Sequence, residues 1–178
     1  MNITGGKFNS RKISVPDSNL VRPTLSRVRE GVFNILFSLI NFEESSFLDA
    51  FSGSGIMSLE AVSRGFKRVV SIEKNYKISK IIEQNFSLFE MEPNLIIGNT
   101  ICILDNLNER FDVIYLDPPY KETELYSKTL QIIDNKKLLN KNGLIITESN
   151  ENTKYEIPKR FSLLKRKKYG NTFITIYR

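Results

Sequence analysis

The chain has 178 residues, 40% of them hydrophobic and 26% charged, with a formal net charge of +6. That length and balance fit one domain with a sizeable core and exclude a disordered chain. Histidine is absent and Cys102 is the single cysteine, which excludes an intramolecular disulfide, His-based triads and zinc chemistry. No apolar run approaches the roughly 18 residues of a membrane span, and the N-terminus has no continuous apolar region of the signal type. A cytoplasmic protein with no membrane partner is the expectation.

Charge is unevenly placed. Residues 1–30 carry six basic side chains against two acidic ones, residues 151–178 carry eight against two, and the middle is net acidic with twelve against sixteen. Basic ends around an acidic body suggest a footprint for a polyanion.

In chain order, residues 3 to 15 alternate apolar and polar side chains around Gly5-Gly6 and predict a small β extension. Thr24 is placed to cap a helix from Leu25 to Leu39, with Phe33, Leu36 and Phe37 facing inward. From residue 46 onward, short apolar runs alternate with helical patterns, the signature of a parallel sheet covered on both faces. Strands are predicted at Phe47 to Phe51, Arg68 to Ile72, Asn94 to Ile97, Val113 to Leu116 and Leu144 to Thr147. Helices are predicted at Met57 to Arg64, Tyr76 to Phe89, Thr100 to Leu107 and Glu124 to Leu139. Finally, Phe161 to Lys165 and Thr172 to Tyr177 flank Tyr169-Gly170-Asn171 and read as an antiparallel hairpin closing the sheet.

The first of these strands runs into Asp49-Ala50-Phe51-Ser52-Gly53-Ser54-Gly55, a turn whose glycines let backbone approach a ligand at a helix N-terminus. A dinucleotide fingerprint would place a third glycine at position 58, where this chain has Ser58, so a nicotinamide cofactor is disfavoured and a smaller nucleoside ligand fits better. About 20 residues beyond the glycine turn, Glu73 closes the second strand, where an acid reaches ribose hydroxyls. Asn99, after the third strand, could accept from an adenine amino group.

The fourth strand ends in Asp117-Pro118-Pro119-Tyr120. A carboxylate, carbonyls without competing N–H groups and a flat aromatic ring are the parts needed to grip a planar base bearing an exocyclic amine. Asp117 and the carbonyl of Pro118 can accept from the NH₂ group and aim its nitrogen lone pair at an electrophile, while Tyr120 stacks on a flipped-out base. A ring-conjugated amine is a poor nucleophile, so positioning it against a sulfonium methyl is the main task, and no metal is required.

Together these residues resemble the class I S-adenosylmethionine-dependent methyltransferases. Within them the chain is similar to the RsmD-type enzymes that methylate the N2 amino group of a guanine in small-subunit (16S) ribosomal RNA. The resemblance spans the whole chain. It includes Gly5-Gly6-Lys7 with Arg11-Lys12, Arg22-Pro23-Thr24 with Arg27-Val28-Arg29-Glu30, Phe33-Asn34, Leu59-Glu60-Ala61 with Ser63-Arg64-Gly65, and the closing Tyr169-Gly170-Asn171-Thr172 with Ile176-Tyr177-Arg178; the Arg22-Pro23-Thr24 block and the closing segment are the parts that point to this family. Ser10 stands where the family looks to prefer glycine, Asn99 where an acid is often seen, and Gly31 interrupts a helix.

The resemblance implies a Rossmann-like, seven-stranded, mostly parallel α/β sheet with helices on both faces, a C-terminal antiparallel hairpin and a small N-terminal β extension. One domain over residues 1–178 would comprise an RNA-binding extension, 1–23, and a cofactor-binding catalytic core, 24–178. S-adenosylmethionine, leaving as S-adenosylhomocysteine, would be held by Asp49, Phe51, Gly53, Gly55, Glu73 and Asn99, with no metal. The guanine would be held by Asp117, Pro118 and Tyr120, and RNA by Lys7, Arg11, Lys12 and Arg22. The partner would be 16S rRNA or the small ribosomal subunit, and the protein a monomer. The competing readings are an adenine-N6 methyltransferase on DNA or RNA and a non-catalytic RNA-binding assembly factor.

Overall fold

In a computed structural model of the chain, which describes residues 1–15, 24–119 and 122–178, β1 (Ser46–Asp49) sits near the centre of the sheet. Phe47 and Leu48 point to opposite faces and both are fully buried, as a parallel strand covered on both sides requires. The other strands are β2 (Arg68–Glu73), β3 (Leu95–Ile97), β4 (Phe111–Leu116), β5 (Leu139–Asn150), β6 (Leu163–Tyr169) and β7 (Thr172–Tyr177). They form one sheet in the order β3-β2-β1-β4-β5-β7-β6. The first five are mutually parallel, and β7 runs antiparallel to both β5 and β6.

The connecting helices are α1 (Ser26–Phe37), α2 (Ile56–Ser63), α3 (Tyr76–Ser87), α4 (Thr100–Asn106) and α5 (Glu124–Asn135). Two cores follow from the strand alternation. On one face Phe47, Val113, Tyr115 and Ile146 pack with α1, α2 and α3. On the other, Leu48, Ile114, Leu116 and Ile145 pack with Leu104, Leu130 and Ile133 from α4 and α5.

Five sequence expectations are corrected, the first being that Phe37, expected to face inward from α1, is exposed. The β extension is present but narrower than residues 3 to 15: residues 1–3 pair antiparallel with 11–13, the Ile13 amide donating to the Met1 carbonyl at 2.8 Å and the Ile3 amide to the Arg11 carbonyl at 3.0 Å, and the chain between them makes a 3-10 turn, Gly6–Phe8, so the whole forms a short strap. Thr24 does not cap α1: Leu25 occupies that position, and the Thr24 carbonyl accepts from the Arg29 guanidinium. The fifth helix stops at Asn135 rather than Leu139, because Lys137 turns into the left-handed region (φ 55°) and lets Leu138 and Leu139 enter the core. The last hairpin is shifted, with Phe161 buried ahead of β6.

Ser10 has φ 65°, the conformation glycine adopts without a steric cost. Gly31 has a physical reason. A Cβ on it would fall 2.0 Å from the Tyr169 hydroxyl, so its bare backbone lets α1 rest against the β6–β7 hairpin.

The strap is fastened by Glu60 of α2. Its Oε1 accepts from the Thr4 amide and hydroxyl, each at 2.8 Å, and from Arg29 Nε at 3.0 Å, while Oε2 pairs with Arg64. Arg29, fully buried, also donates to the Asn2 carbonyl at 2.6 Å. Farther along, Asn85 of α3 exchanges two hydrogen bonds with the Ser14 backbone, at 2.8 and 2.9 Å. The Arg29 and Glu60 blocks noticed in the sequence are thus the two halves of one fastening.

Candidate active site at the carboxyl ends of the strands

β1, β2 and β4 deliver their carboxyl ends to a cleft of about 270 Å³. Asp49, Phe51, Gly53, Glu73, Asn99, Asp117 and Pro118 all line it. That is where ligands bind in open α/β sheets, at the point where the strand order reverses on either side of β1. Of the other residues expected at a site, Tyr120 and Arg22 lie outside the described residues. Lys7, Arg11 and Lys12 are exposed on the strap and do not line the cleft.

Gly55 serves the turn rather than the cleft wall. It is the N-cap of α2 with φ 75°, which glycine takes freely, and its amide donates to the Ser52 carbonyl at 2.7 Å. Asn99 also has a local job. Its amide oxygen, expected to accept an adenine amino group, accepts from the Ile101 and Cys102 amides at 3.0 and 3.3 Å and caps α4.

Asp49 is buried at the end of β1, and its Oδ2 accepts from the Ser58 hydroxyl at 2.7 Å. Ser58 in turn accepts from Ser71 of β2 at the same distance. Burial pushes the Asp49 carboxyl up to about 7 against the opposing pull of Ser58. Sequence reasoning used Ser58 only to argue against a dinucleotide; in the fold it positions the acid. The signal was available, because a hydroxyl in place of the third glycine faces back toward the strand end.

Glu73 is held by two backbone amides. Oε2 accepts from Gly53 at 2.9 Å, across to the glycine turn, and Oε1 from Asn75 at 2.7 Å. Its carboxyl too is raised, chiefly by burial. A carboxylate offers about four lone-pair sites, so two bonds leave capacity for a ligand.

Below Asp117, Tyr115 lines the cleft floor and donates to Glu148, a buried acid on β5. Burial first, then the Glu148 charge, pushes the phenol well above its ordinary value, so Tyr115 stays protonated and is no proton acceptor. Glu148 was not foreseen as part of the site. An acid closing the apolar run Leu144 to Thr147 was its only mark in the sequence. At the lip, Lys74 and Glu122 approach to 3.4 Å, both largely exposed.

The fold and this cleft define the class I methyltransferase architecture. The chain belongs to the family described as conserved hypothetical protein 95, whose model matches residues 1–178. It is 34% identical over 170 residues to ribosomal RNA small subunit methyltransferase D of Buchnera aphidicola subsp. Acyrthosiphon pisum, covering 93% of this chain and 86% of that one. The protein of the same name from Escherichia coli K12 is 31% identical over 177 residues, covering 98% and 88%. A solved structure described as a putative methyltransferase from Escherichia coli superposes with a TM-score of 0.87 at 29% identity, covering 99% of this chain and 96% of that one.

Proposed function

We propose that the chain transfers a methyl group from S-adenosylmethionine to the exocyclic N2 of a guanine in small-subunit ribosomal RNA. The observation that carries this reading is an acceptor-rich cleft: Asp49, Glu73 and Asp117 converge on one space, where the one lysine among the described residues, Lys74, sits at the lip beside Glu122. Such a cleft repels a pyrophosphate and suits a ligand rich in donors and positive charge. S-adenosylmethionine, with its ammonium, sulfonium and ribose hydroxyls, has that chemistry, so the residues present fit it.

Asp49 and Glu73 would hold the cofactor, with Phe51 supplying an apolar wall and Gly53 close backbone approach. When bound, the cofactor supplies a sulfonium-activated methyl group. This chain's residues supply position. The Asp117 carboxylate and the Pro118 carbonyl accept from the guanine amino group and fix its lone pair, and Tyr120 stacks on the base. The amine becomes acidic once methylated, so its proton can pass to water. Lys7, Arg11, Lys12 and Arg22 would hold the RNA, bound by the protein as a monomer.

In vitro transcribed small-subunit RNA, labelled methyl donor and nucleoside analysis of the digested product test this. N2-methylguanosine is the expected product, and N6-methyladenosine would replace guanine by adenine as the target. Asp117→Ala is expected to lower turnover by about 10³-fold while cofactor affinity, read by calorimetry, stays within a few fold. Retained turnover would remove Asp117 from its role.

A further inference from the structure

We propose that the exposed edge strand β6 is a second phosphate-binding surface, holding the RNA backbone that flanks the target nucleotide. The proposal rests on the RNA-methyltransferase reading above and extends it to a part of the molecule that the cleft does not use.

Four cations stand consecutively on β6: Lys165, Arg166, Lys167 and Lys168, all exposed. Residues paired directly across antiparallel strands share a face. Arg166 and Lys168 pair with Thr175 and Phe173 on one side, and Lys165 and Lys167 pair with Ile176 and Ile174 on the other. The strand therefore presents charge from both faces of the sheet edge.

Register places these cations at the height of the site. Leu116 of β4 is level with Thr147 of β5, Thr147 with Thr175 of β7, and Thr175 with Arg166. Arg166 thus stands level with Leu116, the residue that precedes Asp117, and Lys167 and Lys168 run on from it in the direction in which β4 leads to Asp117. The two regions are separated by three strand spacings, about 14 Å. A nucleic-acid strand carries one phosphate per roughly 3.4 Å of axis, so several phosphates of a strand leaving the cleft fall within that span.

Three of the four cationic heads rest on aromatic rings. Arg166 and Lys168 lie over the Phe173 ring at 4.6 and 5.1 Å, and Lys167 lies over Tyr169 at 5.0 Å. Arg27 of α1 adds a fifth charge at the hairpin tip, its Nη2 2.5 Å from where a Cβ on Gly170 would stand. Lys168 approaches Glu151 at 3.7 Å, but with both side chains more than half exposed the pair contributes little and competes weakly with a phosphate. Edge cations also keep a strand from pairing with another chain, a role that scattered charges fulfil without this register.

The test is a quadruple neutralisation, Lys165→Gln, Arg166→Gln, Lys167→Gln and Lys168→Gln, measured against in vitro transcribed small-subunit RNA. The slope of log K against log salt is expected to become shallower by about two to three. KM for RNA should rise by about tenfold or more, with kcat at saturating RNA, the melting transition and cofactor affinity unchanged. Lys165→Arg, Lys167→Arg and Lys168→Arg together should keep the wild-type slope. An unchanged slope and KM overturn the proposal, as does a neutralised variant that self-associates with its slope intact. If the unaltered chain binds this RNA but methylates none of it, the functional reading fails, while the slope comparison still decides the β6 contact.

Discussion

Two carboxylates are buried to nearly the same extent and live in opposite surroundings. Glu60 is fully buried on α2, yet it meets two guanidiniums and the amide and hydroxyl of Thr4. Asp49, 1% exposed at the end of β1, meets the hydroxyl of Ser58 and lines an open cleft. A buried acid saturated by cations is a fastener, and its neighbours need nothing more. A buried acid answered mainly by a hydroxyl carries an electrostatic cost that a positively charged or donor-rich ligand can relieve. The contrast separates what holds the strap on from what the cleft is for.

Breaking the fastener should have the largest effect on stability. Glu60→Ala strands the Arg29 guanidinium in the core, and a loss of about 3–5 kcal/mol is expected in urea unfolding. The strap should also become accessible to protease before the sheet does. If the loss is under 1 kcal/mol, the Arg29–Glu60 pair is not what holds residues 1–15.

Asp49 sharpens the other side of the comparison through pH. Its carboxyl is raised from an ordinary value of 3.8 to about 7 in the folded chain. The folded state therefore binds the proton more tightly, and stability falls as pH rises from about 4 to about 7. Asp49→Asn, which cannot ionise, should flatten that slope, and the difference between the two chains should reach at most about 4 kcal/mol. A saturating concentration of S-adenosylmethionine should reduce it. Parallel stability curves for the two chains would show that Asp49 is already ionised without cost.

A smaller effect is expected where neither acid is involved. Gly31→Ala would ordinarily strengthen a helix by up to about 1 kcal/mol. Here the added methyl meets Tyr169, so a net loss of about 1–3 kcal/mol is expected from thermal melts, relieved by Tyr169→Ala in the same chain. Stabilisation by Gly31→Ala alone would mean that α1 does not rest on the hairpin as described.

The residues that touch the cleft were largely legible because each sits at the end of a strand and breaks a pattern there. Asp49 ends an apolar run before glycines, Glu73 ends the next, and Asp117 precedes two prolines. The supporting residues left weaker marks. Ser58 showed only as a departure from a glycine pattern, Glu148 only as an acid after apolar residues, and Asn99 was given a ligand when its amide oxygen was needed to cap α4. Capping is local and could have been read, since Asn99 directly precedes the helix at Thr100.

Periodicity and strand-end chemistry, both local, fixed the alternating α/β order, the closing hairpin and the cleft acids from the sequence alone. Tertiary structure decided what depends on partners distant in the chain. Glu60 is a fastener because Arg29 lies 31 positions away and reaches it. Gly31 is needed because Tyr169 arrives from the far end of the chain. Four lysines and arginines that read as a basic tail stand at the level of Leu116, where β4 ends beside Asp117, only because three strand registers put them there.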